Sequence, residues 1–182
     1  MKVAEKEITL KNGQKCMLKS PEPKDAERMI DYMRVTSEET HFMARYPEEI
    51  KLTLEQEEEF IRNMQESEHD FMVGAYINGI LVGNLGLSAI NNYIKMQHRA
   101  EVGISIIKKY WGLGIGTSLF DAAIKQATEL GYEQLELGVF SDNSRAQALY
   151  GKLGFEKWGS VKHAYRLKDG TYRDEIMMGK IL

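Results

Sequence analysis

Apolar and polar positions alternate along residues 5–10 and 14–19, the period of half-buried strands, and the two runs flank Asn12-Gly13, a pair that favours tight hairpin turns. The period then changes. From Asp25 to about Thr36, residues Ala26, Met29, Ile30 and Met33 recur at three- and four-residue intervals, which places them on one helical face. Residues 41–50 follow neither period and are broken at Pro47. Thr53-Leu54-Glu55-Gln56 has the form of a capping box, and Leu54, Phe60, Ile61 and Met64 predict the apolar stripe of the helix it opens. Strand patterns return at Asp70–Ile77 and Ile80–Ile90, joined by Asn78-Gly79. Gln97–Ile107 predicts a strand, Thr117–Leu130 an amphipathic helix and Gln134–Phe140 another strand. Phe155–Leu167 and Tyr172–Leu182 predict a final hairpin around Asp169-Gly170. This order predicts a mixed sheet with helices on both faces, an α+β domain. No repeat, low-complexity tract or linker interrupts it, so residues 1–182 read as a single domain.

Composition narrows the class. At 182 residues, 43% hydrophobic and 28% charged, the chain can build one substantial core. It has no run of eighteen apolar residues, so no membrane span is expected, and Met1–Leu10 lacks the apolar core of a signal peptide. A single cysteine, Cys16, leaves no internal disulfide and fits a cytoplasmic protein. Four scattered histidines and no Cys/His cluster suggest no metal site. A net charge of -3 argues against general nucleic-acid binding. The charge is uneven. Residues 37–70 carry eleven acidic and three basic side chains, a balance of -8, while the rest carries 21 basic and 16 acidic, or +5. Such a split suits a polyanion at one end and a cationic amine at the other; a solvated acidic helix is the plainer reading.

The chemistry concentrates after the strand at 97–107. Trp111-Gly112-Leu113-Gly114-Ile115-Gly116-Thr117 alternates three glycines between a strand and a helix. Such a turn leaves backbone N–H groups bare at a helix start, where the dipole favours an anion. No Gly-Lys-Ser/Thr closes the loop, and Thr117 stands where a dinucleotide fingerprint needs a third glycine. Further on, Asn143-Ser144-Arg145-Ala146-Gln147-Ala148-Leu149-Tyr150-Gly151-Lys152-Leu153-Gly154-Phe155 puts Asn143 and Tyr150 on one helical face, about 10 Å apart along the axis.

With these two motifs the sequence resembles the GNAT superfamily of N-acetyltransferases that use acetyl-CoA. The family's first signature is Arg/Gln-x-x-Gly-x-Gly/Ala and its second Asn-x-x-Ala-x-x-Leu-Tyr-x-x-x-Gly-Phe. Both occur here in order, with Trp111 at the Arg/Gln position. The resemblance is close over residues 70–182 and looser before. It implies a GNAT-like fold in which the strands at 100–107 and 134–140 splay apart, with pantetheine in the wedge pairing with backbone around Val102, Gly103, Ile104 and Ile106. It also implies that the pyrophosphate lies on Gly112, Leu113, Gly114, Ile115, Gly116 and Thr117, and that Asn143 and Ala146 face the cofactor. Tyr150 would protonate the departing thiolate. Trp111 either shields the turn or, as the preferred reading, is a core aromatic.

The residues add expectations of their own. Each of the two strands has a mid-strand glycine, Gly103 and Gly138, which reads either as a packing accommodation or as room for a thin ligand. Glu101, at the edge of the slot, is the candidate base for the acceptor ammonium, the alternative being a surface carboxylate paired with Arg99 or Lys95. Backbone N–H groups near Val102 and Gly103 are candidate oxyanion donors. Glu38, Glu39, Glu48, Glu49, Tyr165, Tyr172, Arg173 and Asp174 are expected near the acceptor. They suit a small-molecule amine such as a polyamine, amino acid or amino sugar. A protein N-terminus or lysine is the rival acceptor, and a non-catalytic acyl-CoA sensor the rival function. A homodimer is possible.

Overall fold

The computed structural model describes residues 1–182. Strands β1 (Lys6–Thr9) and β2 (Lys15–Lys19) form the expected hairpin. Helix α1 (Ala26–Glu39) follows, then α2 (Leu54–Glu66). Strands β3 (Phe71–Ile77), β4 (Ile80–Ala89) and β5 (Arg99–Ile106) lead to α3 (Ile115–Glu129), β6 (Gln134–Phe140) and α4 (Ser144–Lys152). Strands β7 (Glu156–Arg166) and β8 (Tyr172–Ile181) end the chain. The eight strands form one sheet in the order β1-β2-β3-β4-β5-β6-β8-β7, antiparallel throughout except for β5 beside β6. That is the mixed sheet the alternation predicted. No helix is long and apolar enough to cross a membrane.

Local chemistry accounts for the turns. Asn78 and Gly79, at φ 50° and 77°, make the double left-handed turn that the right-handed twist of a hairpin requires. The Thr53 hydroxyl accepts from the Gln56 N–H at 3.2 Å, and the Gln56 side chain accepts from the Thr53 N–H at 2.9 Å, the capping box read from the sequence.

Each face of the sheet has its own helix layer. On one, Leu119, Phe120, Ala123 and Ala127 of α3 pack on Val73, Val82, Leu85, Leu87 and Val102, with Tyr150 of α4 in the same core. On the other, Ala26, Met29 and Tyr32 of α1 and Ile61 and Met64 of α2 pack on Met72, Tyr76 and Leu81. Two expected stripes shift. In α1, Tyr32 is buried and Met33 only half-buried. In α2, Leu54 and Phe60 are 44% and 50% exposed, whereas Glu57 is buried. The α2 stripe is narrow, centred on Glu57, Ile61 and Met64, and Leu54 and Phe60 lie on its opposite flanks. Burial pushes the Glu57 carboxyl above its ordinary range, against the pull of Arg45.

Candidate active site

Strands β5 and β6 pair only at Arg99–Glu101 with Gln134–Glu136, yet both run on, to Ile106 and Phe140. Beyond that short ladder they part and leave a wedge. Arg99 pins the closed end: its Nε and Nη2 donate to the two Glu136 carboxylate oxygens at 2.5 and 2.9 Å. Glu136 is held below the usual carboxylate range chiefly by that hydrogen bond. Arg99 is thus engaged with Glu136, and Glu101 has no cation partner.

The backbone of the wedge can be assigned group by group. Ile107 N–H donates to the Val82 carbonyl and Ile90 N–H to the Arg99 carbonyl. In antiparallel alternation this directs the odd-numbered residues of β5, Gly103 among them, to β4 and the even-numbered ones towards β6. The Val102 N–H closes the last β5–β6 rung on the Glu136 carbonyl, so the Val102 C=O and both backbone groups of Ile104 and Ile106 face the wedge. On β6, Leu182 N–H to Glu133 and Ser141 N–H to Asp174 set the same alternation, so the backbone groups of Gly138 and Phe140 face the wedge. Two of these carbonyls are already engaged. Trp111 Nε1 donates to Ile106 O at 2.6 Å, and Asn143 N–H donates to Phe140 O at 3.0 Å. Those of Val102, Ile104 and Gly138 stay available to an extended ligand. A cavity of about 640 Å³ occupies the wedge and continues to the glycine loop.

At that end Gly112 and Gly114 adopt φ 78° and 98°, a conformation costly for any residue with a Cβ. Gly114 caps α3, so the helix begins at Ile115, two residues earlier than the apolar period indicated. Ser118 N–H donates to Gly114 O at 3.1 Å as the first rung, so the N–H groups of Ile115, Gly116 and Thr117 have no helical partner. Leu113 is tied back through its carbonyl, which accepts from Lys11 N–H at 3.2 Å. Gly116 lets α3 approach α4: a Cβ there would come 2.8 Å from Leu149 Cδ2. Trp111 is not a core aromatic. It is half-buried in the cavity wall, with the Arg145 guanidinium 5.3 Å from its ring centroid. Its indole N–H needs the Ile106 carbonyl at the wedge rim, which holds the ring at the surface. Arg145 supplies a cation beside the bare N–H groups, a role its place in the motif did not signal.

Asn143 caps α4: its Oδ1 accepts from Ala146 N–H at 3.1 Å. Both residues line the cavity, as does Tyr150 one turn on. The Tyr150 ring is buried edge-on against Phe120, with centroids 5.5 Å apart, and near Phe155. Burial alone pushes its phenol up to about 12.

The other face of the wedge is different. Here lie Glu101, Gly103 and Ser105 of β5, Gly138 and Phe140 of β6, and Glu175 of β8, which is paired with Phe140. Gly103 has open space where a Cβ would be, as a ligand slot requires. Gly138 does not: a Cβ there would overlap the Glu175 carboxylate. Gly138 therefore accommodates a side chain of the protein itself. Tyr165 stacks on Phe140 at 3.8 Å and donates to Glu175 Oε1 at 2.5 Å. Burial first, then the Glu175 hydrogen bond and charge, then Glu101, raise the Tyr165 phenol well above its ordinary range. Glu101 itself is exposed and lies outside the cavity wall. Tyr32 reaches over from α1 to Ser105, its hydroxyl 2.6 Å from the carbonyl and 2.7 Å from Oγ. Beside it Asn84 Oδ1 is buried without a partner.

The expected acidic lining is thinner than its residue count. Glu48 binds Lys168, Glu49 caps its own turn by accepting from Tyr46 N–H, and Asp174 binds Lys162. Arg173 is held by Asp142, which also meets His41. Glu39 lines the cavity and accepts from Lys108 N–H at 2.6 Å. The loop between α1 and α2 is latched over the mouth, since Lys168 N–H donates to the Tyr46 hydroxyl and the Lys168 ammonium lies 4.2 Å from that ring's centroid.

The chain is similar to known proteins in sequence and in fold. The model of the acetyltransferase (GNAT) family matches residues 26–155. The chain is 32% identical over 108 residues to the L-amino acid N-acetyltransferase AaaT of Escherichia coli, covering 59% of this chain and 65% of that protein. It is 32% identical over 123 residues to an N-alpha-acetyltransferase of Sulfurisphaera tokodaii, covering 62% and 72%. The crystal structure of a GNAT-family acetyltransferase from Streptococcus pneumoniae superposes with a TM-score of 0.87 at 30% identity, over 92% of this chain and 99% of that one. The alignment with AaaT spans just under two thirds of that relative's length.

Proposed function

Because the chain belongs to the GNAT family of acetyltransferases, we propose that it moves an acetyl group from acetyl-CoA to the primary amine of a small cationic acceptor, with both substrates bound together. The acceptor class is a polyamine, amino acid or amino sugar. One observation carries this reading: a single cavity joins the bare N–H groups at the start of α3, the free Val102 carbonyl and unpaired Ile104 backbone, the Tyr150 phenol and, across the sheet, an aromatic and acidic mouth. The residues fit coenzyme A. The first turn of α3 with Arg145 suits a pyrophosphate, and strand edges suit the amides of an extended arm.

When bound, acetyl-CoA supplies an activated acetyl carbonyl; the new C–N bond forms as the C–S bond breaks and its electron pair goes to sulfur. The Ile104 N–H, turned into the wedge past the last β5–β6 rung, is placed to polarise a carbonyl oxygen. Tyr150, a protonated phenol throughout the neutral range, donates its proton to the departing sulfur. A carboxylate on the acceptor face takes the proton that the ammonium must shed before attack, and Glu101 and Glu175 both stand there without a cation partner. Latching of the α1–α2 loop narrows the mouth and favours a small acceptor over a folded protein. Likeness to the N-alpha-acetyltransferase favours a flexible protein N-terminus as the second reading.

The test is thiol release from acetyl-CoA with a panel of polyamines, amino acids, amino sugars and short peptides. Release driven by one class of small amine supports the reading. Release by peptides alone replaces it with the second. Silence across the panel with acetyl-CoA still bound identifies a sensor module and overturns it.

A further inference from the structure

The carboxylates on the acceptor face differ in how they are held. Glu101 is exposed on β5, with no neighbour that fixes its side chain. Glu175 is half-buried and fixed from two sides. Its carboxylate lies against the backbone of Gly138, close enough that Cδ would sit 2.8 Å from a Cβ at that position. Its Oε1 accepts from the Tyr165 hydroxyl at 2.5 Å, and the Tyr165 ring is in turn stacked on Phe140 at 3.8 Å. Gly138 belongs to the stretch of β6 just past the last β5–β6 pair, Glu101 with Glu136, so the carboxylate stands where the two strands part. The surrounding cations are engaged elsewhere: Arg99 with Glu136, Lys162 with Asp174, Lys168 with Glu48 and Arg173 with Asp142. Neither carboxylate lines the cavity itself, but Gly138 and Tyr165, which hold Glu175, both do. A fixed carboxylate with no cation partner, set directly behind that wall, is arranged to hold a cation.

We infer that Glu175, rather than Glu101, is the carboxylate that holds the acceptor ammonium and takes its proton. The assignment rests on the acetyl-transfer reading above. In the step, an N–H bond of the ammonium breaks, its electron pair stays on nitrogen and the proton passes to the free Glu175 oxygen. The neutral amine then forms the C–N bond, and its second proton restores the Tyr150 phenol after that phenol has protonated sulfur. Glu175 returns its proton to water, so each turnover releases one proton. Tyr165 acts as a positioning residue. Its hydroxyl engages one carboxylate oxygen and leaves the other for the amine. Gly138 is required because any side chain there would push the carboxylate away from the wedge.

The experiment compares two acceptors on the full chain: the best alkylamine from the panel, and an analogue fluorinated beside its amine so that it is largely neutral at the assay pH. Glu175→Gln is expected to lower kcat ~10²–10⁴-fold with the alkylamine and less than ~10-fold with the analogue, as loss of a general base predicts. Acetyl-CoA affinity, read by calorimetry, stays unchanged. Gly138→Ala, which displaces the carboxylate without removing it, is expected to show the same selectivity and serves if Glu175→Gln does not fold. Tyr165→Phe is expected to raise the alkylamine KM. Equal losses with both amines, or the selective loss appearing in Glu101→Gln instead, overturn the assignment. A wild-type chain that binds acetyl-CoA and acetylates no amine overturns the transfer reading itself, and that result is visible before any variant is made.

Discussion

Replacing Tyr150 by phenylalanine removes one oxygen from the cavity wall and leaves the packing intact. The ring keeps its edge-on contact with Phe120 and its neighbour Phe155, and the hydroxyl's environment is described by burial alone, so no partner in the protein is orphaned. Folding stability near neutral pH should therefore change by less than about 0.5 kcal/mol. Catalysis should change more. A hydrogen bond to a developing thiolate is worth ~1.5–3 kcal/mol, which corresponds to a fall in kcat of ~10–100-fold. A larger loss is not expected, because a thiol near pKa 8.5 is already a fair leaving group. Thiol-release kinetics and calorimetric titration with acetyl-CoA separate the terms: kcat falls and affinity holds. The pH dependence supplies an independent check. The folded phenol titrates at about 12 against 10.0 for the free group, so the protonated form is favoured by folding. Below pH 10 the phenol is neutral in both states and pH has no effect through it. As pH rises from 10 towards 12 the unfolded chain ionises first and stability falls, by up to roughly 3 kcal/mol at 1.36 kcal/mol per pH unit. Tyr150→Phe should remove that part of the alkaline destabilisation. An unchanged kcat, or a loss matched by weaker acetyl-CoA binding, would refute the role given to this phenol.

Three further outcomes follow. Gly116→Ala places a methyl 2.8 Å from Leu149 Cδ2 and should cost ~1–3 kcal/mol by overpacking, read as a lower Tm, with Leu149→Ala in the same chain recovering part of it. Arg145→Ala should weaken acetyl-CoA binding and flatten its salt dependence, because the guanidinium is exposed and stands over Trp111 beside the loop. The Arg99–Glu136 pair should make the closed end of the wedge acid-labile. Glu136 lies below its free value of 4.5, so its contribution is complete above that pH and lost as pH falls through the folded value; Glu136→Gln should show a shallower acid transition in denaturant melts.

Much of this was legible in local pattern. Period-two alternation located the first two strands and apolar runs between turn signals the others, and Asn12-Gly13, Asn78-Gly79 and Asp169-Gly170 located the hairpins, because these features depend only on neighbouring residues. The glycine loop and the Asn143–Tyr150 face were likewise visible, since a turn and a helix carry their own spacing. What the pattern did not reach depends on partners distant along the chain. Trp111 looks like a core residue until the Ile106 carbonyl draws its indole N–H to the rim. Glu48, Glu49 and Asp174 look like free acids until Lys168, the Tyr46 N–H and Lys162 neutralise or cap them. The mid-strand glycines look alike, yet Gly103 faces open space and Gly138 faces Glu175. Only the β6–β8 register distinguishes them.

That register also explains why the site lies where the sheet opens. Helices α3 and α4 cover one face and bring an anion cradle and a phenol; α1, α2 and the β7–β8 hairpin bring aromatic and acidic side chains to the other. A continuous sheet would keep the two sets apart. A crossing is cheapest in backbone hydrogen bonds beside the one parallel pair, where three paired residues suffice to hold the strands and Arg99 clamps the junction. Beyond it the Val102 carbonyl and the donors and acceptors of Ile104 and Gly138 have no strand to satisfy them, and exposed strand edges of this kind ask for an extended polar ligand. The same opening that admits such a ligand from the α3 side gives an amine on the α1 side a line of approach to it, with Gly103 leaving room on β5 and Gly138 leaving room for the Glu175 carboxylate on β6. In the proposed mechanism, binding and reaction therefore both follow from the one place where β5 and β6 stop pairing.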